Sequence, residues 1–167
     1  MRITLIAAVS ENGIMGRENG GIPWALPRDT AHFRSYTAGQ WLLLGRSTYE
    51  EMLGWFDDRI PIVVTRQGDY RPDNPRHRVA ASPREGIELA RRNGATECVV
   101  CGGASLYATT IGLADRLVLT RVDLPIDEGI RFPEIPSPSE WRLVHREPWP
   151  ADEENEHGMV LEIRERQ

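Results

Sequence analysis

Trp41-Leu42-Leu43-Leu44-Gly45-Arg46-Ser47-Thr48-Tyr49-Glu50 reads as a buried strand that turns, at a glycine, straight into a helix running from about Ser47 to Leu53. Consecutive apolar residues with no polar face are the pattern of a strand covered on both sides. The design recurs at Glu97-Cys98-Val99-Val100-Cys101, which passes through Gly102-Gly103 into a helix reaching about Ile111. Strands that feed helices in this way build parallel sheets with helical crossovers.

The rest of the chain extends the alternation. Ile3 to Val9 is a near-continuous apolar run, and Ile60 to Val64 is a strand whose Pro61 suits a strand start. Pro27 to Thr37 predicts a short helix opening with proline, and Gln67 to Arg76 is a polar loop. Arg78 to Ala81 forms a short strand. Ser82-Pro83-Arg84-Glu85 then has the capping-box spacing, with Gly94 as the stop. Leu117 to Val122 is a further strand. The proline-rich stretch Asp123–Glu140 resembles a linker, but the residues beyond it are too few for a domain. Met159, Leu161 and Ile163 alternate with polar neighbours and, with Trp141 to Glu147, predict a terminal antiparallel hairpin. The expectation is one α/β domain over residues 1–167. Its mostly parallel central sheet has about eight strands, with helices on both faces and an antiparallel C-terminal hairpin.

Composition narrows the chemistry. The chain has 167 residues and a net charge of −5, the wrong sign for a dedicated nucleic-acid binder. All 20 basic residues are arginine, which excludes Schiff-base lysines, phosphate-loop lysines and Ser–Lys dyads. The 2 cysteines build no disulfide scaffold, and no apolar run is long enough to cross a bilayer. The N-terminal run lacks the features of a secretory signal, so a cytoplasmic protein is expected.

Three strand ends carry informative residues: Gly45-Arg46-Ser47-Thr48, Thr65-Arg66 and Gly102-Gly103-Ala104-Ser105. Each is, singly, the ordinary composition of a tight turn or a solvated helix start. Open α/β sheets bind ligands outside the carboxyl ends of their strands, so together the three suggest a dinucleotide. G-x-G-x-x-G is absent, as are acidic ribose readers. Arg46 and Arg66 suit a 2′-phosphate, which favours NADPH over NADH. The glycine-rich stretch Gly16–Gly21 leads into Trp24 and a helix whose first turn holds Asp29, with Phe33 on the same face. Asp29 suits the paired N–H donors of a flat heterocycle; the plainer reading is that it complements its own helix dipole.

The Ile22-Pro23-Trp24-Ala25-Leu26-Pro27-Arg28-Asp29 block, Gly45-Arg46-Ser47-Thr48-Tyr49-Glu50, Cys101-Gly102-Gly103 and Thr120, in this order and spacing, closely resemble the dihydrofolate reductases along essentially the whole chain. The resemblance implies NADPH-dependent reduction of dihydrofolate to tetrahydrofolate by a monomer that holds no metal. It implies that Asp29, Trp24 and Thr120 form the catalytic group. Ile6, Ala8, Thr30, Phe33, Met52, Cys101 and Tyr107 would surround the substrate, with Arg59 on its glutamate tail. Cofactor contacts would come from Ala8, Ile14, Gly16, Asn19 and Ile22, from Gly45 to Thr48, from Thr65 and Arg66, and from Gly102, Gly103, Ala104, Ser105, Leu106 and Tyr107.

The sequence also departs from the family. Ser105 stands where many bacterial relatives carry an arginine, and Gly129-Ile130-Arg131-Phe132-Pro133 replaces Gly-Asp-Thr-x-Phe-Pro. Two other enzyme and non-enzyme readings compete: a riboflavin-pathway type of pyrimidine reductase, which lacks the Pro-Trp-x-Leu-Pro-x-Asp block, and a nucleotide-binding protein without catalysis. Cys98 and Cys101 are expected on opposite faces of a strand, as core. The four histidines are expected at surface or edge positions, and Asp152-Glu153-Glu154 at a solvated hairpin tip.

Overall fold

In the computed structural model, which describes residues 1–167, the first strand, β1 (Arg2–Ser10), lies inside an eight-stranded sheet. The chain continues through β2 (Ile14–Gly16), α1 (Pro27–Thr37), β3 (Trp41–Gly45), α2 (Arg46–Glu51), β4 (Ile60–Val64) and β5 (Arg78–Ala80). It then forms α3 (Pro83–Arg92), β6 (Glu97–Val100), α4 (Ala104–Thr110), β7 (Arg116–Val122), β8 (Ile130–Arg131), β9 (Trp141–Trp149) and β10 (Met159–Arg166). The order in space is β5-β4-β3-β6-β1-β7-β10-β9. Neighbours from β5 to β7 are parallel, whereas β10 runs antiparallel to both β7 and β9. The expected architecture is therefore present, including the terminal hairpin.

Alternation along each strand divides the core into two apolar layers. Leu5, Leu43, Cys98, Val100, Leu117 and Leu119 face α3 and α4, meeting Ile87, Ala90 and Leu106. Ile6, Leu42, Leu44, Val99, Cys101 and Val118 face α1 and α2, meeting Tyr49, Phe33 and Trp24. Cys98 and Cys101 thus point to opposite faces. Burial pushes the Cys98 thiol up to about 12 and the Cys101 thiol higher still, so both are inert packing groups.

The helix starts show why the local sequence folds as it does. Ser82 caps α3 by accepting the Glu85 N–H at 3.2 Å, while the Glu85 carboxylate reaches back to the Ala81 N–H at 3.0 Å. The reciprocal bond of the capping box is therefore made one residue earlier than the motif predicts. α2 ends at Glu51 rather than Leu53, because the Met52 N–H is shared between the Thr48 and Tyr49 carbonyls and closes the last turn.

Three expectations change. β2 and β8 form a small antiparallel ribbon, too short to show periodicity in the sequence. Gly129 makes it possible: its φ is +151°, and a Cβ there would lie 2.5 Å from the Gly16 carbonyl oxygen. Arg131 reinforces the ribbon by donating to the Asn12 carbonyl at 2.8 Å, so this segment is anchored without the aspartate of the family pattern. His32 and His77 are half-buried rather than superficial; the His77 Nδ1 lies 2.7 Å from the Tyr49 hydroxyl, and His32 packs edge-on against Trp149 at 5.5 Å. The 152–154 run is exposed, but Asp152 is no idle tip: its carboxylate accepts the N–H groups of Glu154 and Asn155 at 3.0 and 2.7 Å.

Candidate active site

The carboxyl ends of β3 and β6 are joined directly. The Gly45 N–H donates to the Gly102 carbonyl at 2.8 Å, and the Cys101 N–H to the Leu43 carbonyl at 3.0 Å. Gly102 has φ +117°, and a Cβ there would meet the Tyr107 ring at 3.4 Å; one on Gly103 would meet the Thr48 hydroxyl at 3.4 Å. Two bare residues keep this backbone open to close approach. α2 and α4, which begin at these two ends, have no side-chain cap, whereas α3 does. Their opening amides are therefore unclaimed by side chains, as an anion would require.

Arg46 carries the junction across to β4. Its Nε lies 2.8 Å from a Glu50 oxygen, its Nη1 bonds Gln67, and its guanidinium stacks 4.4 Å over the Tyr70 ring. Gln67 in turn donates its N–H to the Thr65 hydroxyl at 3.2 Å. Arg66 is exposed, and its side chain makes no ion pair or hydrogen bond. The three junctions named in the sequence do converge. Ser105 is exposed at the start of α4, and Leu106 behind it is buried.

The other half of the site faces α1. In the parallel register Ile6 pairs with Val118 and Ala8 with Thr120, so Ile6, Ala8 and Thr120 share the face that α1 covers. Ala7 and Ala8 stay half-buried because the pairing of β1 with β6 ends at Leu5, so beyond it β1 is flanked by β7 alone and the sheet opens beside Ala8. Asp29, in the first turn of α1, looks onto this cleft. Burial raises its carboxyl above the ordinary carboxylate value; the nearby Thr120 hydroxyl and His32 pull the other way. Trp24 is buried, and its Nε1 has no hydrogen-bond partner within the protein. An unpaired buried N–H is what a water or a polar ligand would complete.

The walls are apolar. Ile6 is buried; Phe33 and Met52 pack against the same layer, Phe33 edge-on to Trp55 at 5.9 Å. Tyr107 reaches over from α4, its hydroxyl donating to the Ile6 carbonyl at 2.6 Å. Thr30, on α1, lines a separate hollow of about 360 Å³ together with Leu26, Ala31 and Arg34.

Arg59 is more constrained than its sequence position suggests. Its side chain is only 10% exposed. It donates to the Thr37 hydroxyl at 2.9 Å, the Trp55 carbonyl at 3.1 Å, the Arg34 carbonyl at 2.6 Å and Asp58 at 2.6 Å. The fork is held rigidly between the end of α1 and the turn before β4. Thr37, which orients it, is a residue that sequence reasoning passed over. His32 is another, although its spacing from Asp29, one helical turn, was a usable signal.

Not every predicted residue gathers at the strand ends. Asn19 and Ile22 lie exposed on the 16–24 segment, whose turn closes through the Arg17 N–H and the Gly21 carbonyl at 2.9 Å. The Ile14 side chain is buried in the core, its N–H held by the Ser10 hydroxyl at 2.8 Å, and Gly16 stands in the β2–β8 ribbon.

Sheet, glycine junction and buried carboxylate together define an open α/β protein of the dinucleotide-dependent type. The family model described as dihydrofolate reductase matches residues 2–166. The chain is 34% identical over 158 residues to the type 3 dihydrofolate reductase of Salmonella typhimurium, covering 95% of this chain and 94% of that protein. It is 37% identical over 147 residues to the dihydrofolate reductase of Neisseria gonorrhoeae, covering 87% of each. A solved structure, dihydrofolate reductase from Enterococcus faecalis complexed with NADP(H) and RAB-propyl, superposes with a TM-score of 0.87 at 30% identity, over 99% of this chain and 96% of that one. The chain belongs to the dihydrofolate reductase family. No helix is long and apolar enough to cross a membrane.

Proposed function

We infer that this chain reduces 7,8-dihydrofolate to 5,6,7,8-tetrahydrofolate with NADPH. The observation that carries the reading is Asp29: a carboxylate lifted by burial near the Thr120 hydroxyl, in a chain whose β3–β6 glycine junction leaves backbone amides open. NADPH, when bound, supplies the hydride that reaches C6 of the pterin. Gly45, Ser47, Thr48, Gly102, Gly103, Ala104 and Ser105 would hold its diphosphate, with Arg46, Thr65 and Arg66 toward the 2′-phosphate. The bare Gly102-Gly103 backbone and the uncapped helix starts support that fit.

The protein's own groups then have distinct tasks. Asp29 accepts hydrogen bonds from the ring's amide and amino groups and favours a proton at N5. Thr120 fixes the carboxylate's orientation, and the free Trp24 N–H holds a water against it. Ile6, Ala8, Phe33, Met52 and Tyr107 exclude solvent from the reacting rings, and Arg59, held by Thr37, Trp55, Arg34 and Asp58, offers the tail carboxylate its charge and its remaining N–H. The whole of 1–167 acts as one domain, a cytoplasmic monomer whose partner is the small substrate and not nucleic acid.

Loss of NADPH absorbance tests this directly. Oxidation with dihydrofolate and none with a ribosylaminopyrimidine dione is the expected result. The reverse preference points to the pyrimidine reductase, and no oxidation with either to a nucleotide-binding protein.

A further inference from the structure

α1 begins without a cap of its own. Its N-cap residue is Leu26, which has no side chain able to accept a hydrogen bond, and Pro27 has no N–H to offer. The first free donor is therefore the Arg28 N–H, one residue before Asp29. It is satisfied from the other end of the chain: the Asn155 side-chain oxygen accepts it at 3.0 Å.

Asn155 sits in the loop between β9 and β10. Asp152, Glu153, Glu154 and Glu156 around it are exposed, yet Asn155 is 2% exposed. The loop is shaped to present it. Asp152 Oδ1 accepts the Asn155 side-chain amide at 2.9 Å and the Asn155 N–H at 2.7 Å, and the Asp152 N–H donates to the Asn155 carbonyl at 2.9 Å. These bonds use both Asn155 side-chain atoms and fix the amide with its oxygen toward α1. An Arg28–Asp152 ion pair at 3.7 Å runs alongside; both groups are over two-fifths exposed, so it adds little.

We propose that Asn155, held by Asp152, is a positioning residue for Asp29: it caps α1 from the β9–β10 loop and so fixes the helix turn that aims the carboxylate at Thr120. This rests on the catalytic reading of Asp29 above. Asn155 touches no reacting atom. Its effect comes through the pitch of the first turn, where small displacements of a reacting group cost large factors in rate.

The test uses the full-length chain. Asn155→Ala should slow single-turnover reduction of dihydrofolate by about 10- to 100-fold. The NADPH dissociation constant should stay unchanged, because the strand-end junction is untouched. Amide hydrogen exchange should show Arg28 protected in the native chain and several-fold less protected in the variant. Asp152→Ala removes the acceptor that holds the Asn155 amide but leaves the Asn155 oxygen in place, so it should give a smaller loss of both rate and Arg28 protection.

A rate within twofold of the native value, with Arg28 protection lost, would leave a cap that positions nothing and overturn the proposal. An unprotected Arg28 amide in the native chain would also overturn it, and that measurement needs no variant to fold. Exchange does not involve dihydrofolate, so a chain that reduces no dihydrofolate but protects Arg28 would refute the assigned reaction and leave the cap standing.

Discussion

Ala8 and Thr120 are register partners across β1 and β7, on the face that α1 covers. The small side chain lies where β1 has left β6, and the hydroxyl beside it lies near Asp29, so one register sets both the space and the polarity of the site.

Asp29→Asn should lower turnover at pH 7 by about 10²- to 10⁴-fold, the usual worth of general acid–base help, with partial recovery in acid as substrate arrives protonated. It should also stabilise the fold. Burial raises the native carboxyl above 3.8, so the folded chain holds this proton more tightly than the unfolded one. Ionisation therefore removes stability as pH rises through the native value. The variant should show a higher Tm at pH 7 and lose that advantage near pH 3. A less stable variant at pH 7 would contradict the burial argument.

His32 carries the opposite sign. Burial lowers its imidazole below 6.5, against the pull of Asp29 and Glu147 and with the push of His145. The unfolded chain thus takes up this proton first, and stability falls as pH drops below about 6.5. His32→Phe keeps the contact with Trp149 and should flatten the decline in the urea midpoint between about pH 7 and pH 5. Parallel curves for the two proteins would place the acid sensitivity elsewhere.

Replacing Arg46 and Arg66 with alanine should weaken NADPH more than NADH, by about 10-fold or more for each charge-assisted phosphate bond lost. Arg46 is already braced by Glu50, Gln67 and Tyr70, whereas Arg66 is free, so added salt should weaken the Arg66 contribution more. Titrations of both cofactors at two ionic strengths measure this; equal losses for NADPH and NADH would remove the arginines from the 2′-phosphate.

Arg59→Leu should raise the KM for dihydrofolate while leaving kcat nearly unchanged. The same change strands the Trp55 and Arg34 carbonyls that the guanidinium now satisfies, at about 1–3 kcal/mol of stability. Thr37→Val removes one guide of the fork and should give a smaller rise in KM. Denaturant titration beside steady-state kinetics separates the two effects.

Gly86 tests the packing of α3. A Cβ there overlaps the Leu43 side chain and comes within 3.3 Å of Ile62, two fully buried groups. Gly86→Ala should therefore destabilise by about 1–3 kcal/mol, outweighing alanine's helix preference of about 1 kcal/mol. Gly112→Ala, which meets nothing within 4 Å, is the control in the same thermal melt.

Long apolar runs and glycine-bounded helix starts made the parallel sheet readable, because strands buried on both faces carry no competing pattern. α1 and β4 fall on the bounds that proline and periodicity predict. The β2–β8 ribbon was not readable: it rests on Gly129 meeting Gly16, a contact between residues with no shared periodicity. The site divides similarly. Asp29 and the glycine pair lie in compact motifs, whereas Thr120 is a single residue named only through the family resemblance. Thr37 under Arg59 and Asn155 over Arg28 act through single hydrogen bonds between distant segments, and Asn155 sits in a run whose charge reads only as solvated surface.

The central place of β1 also governs how the molecule is made. Ile3 finds its partner at Cys98 and Ala8 finds its partner at Thr120, so β1 has no strand to pair with during synthesis until about a hundred further residues have followed. Such high contact order slows folding, because long loops must close before any pairing rewards them. During synthesis the nascent Ile3–Val9 stretch is an unpaired, uncharged strand edge, the kind of segment that chaperones must shield.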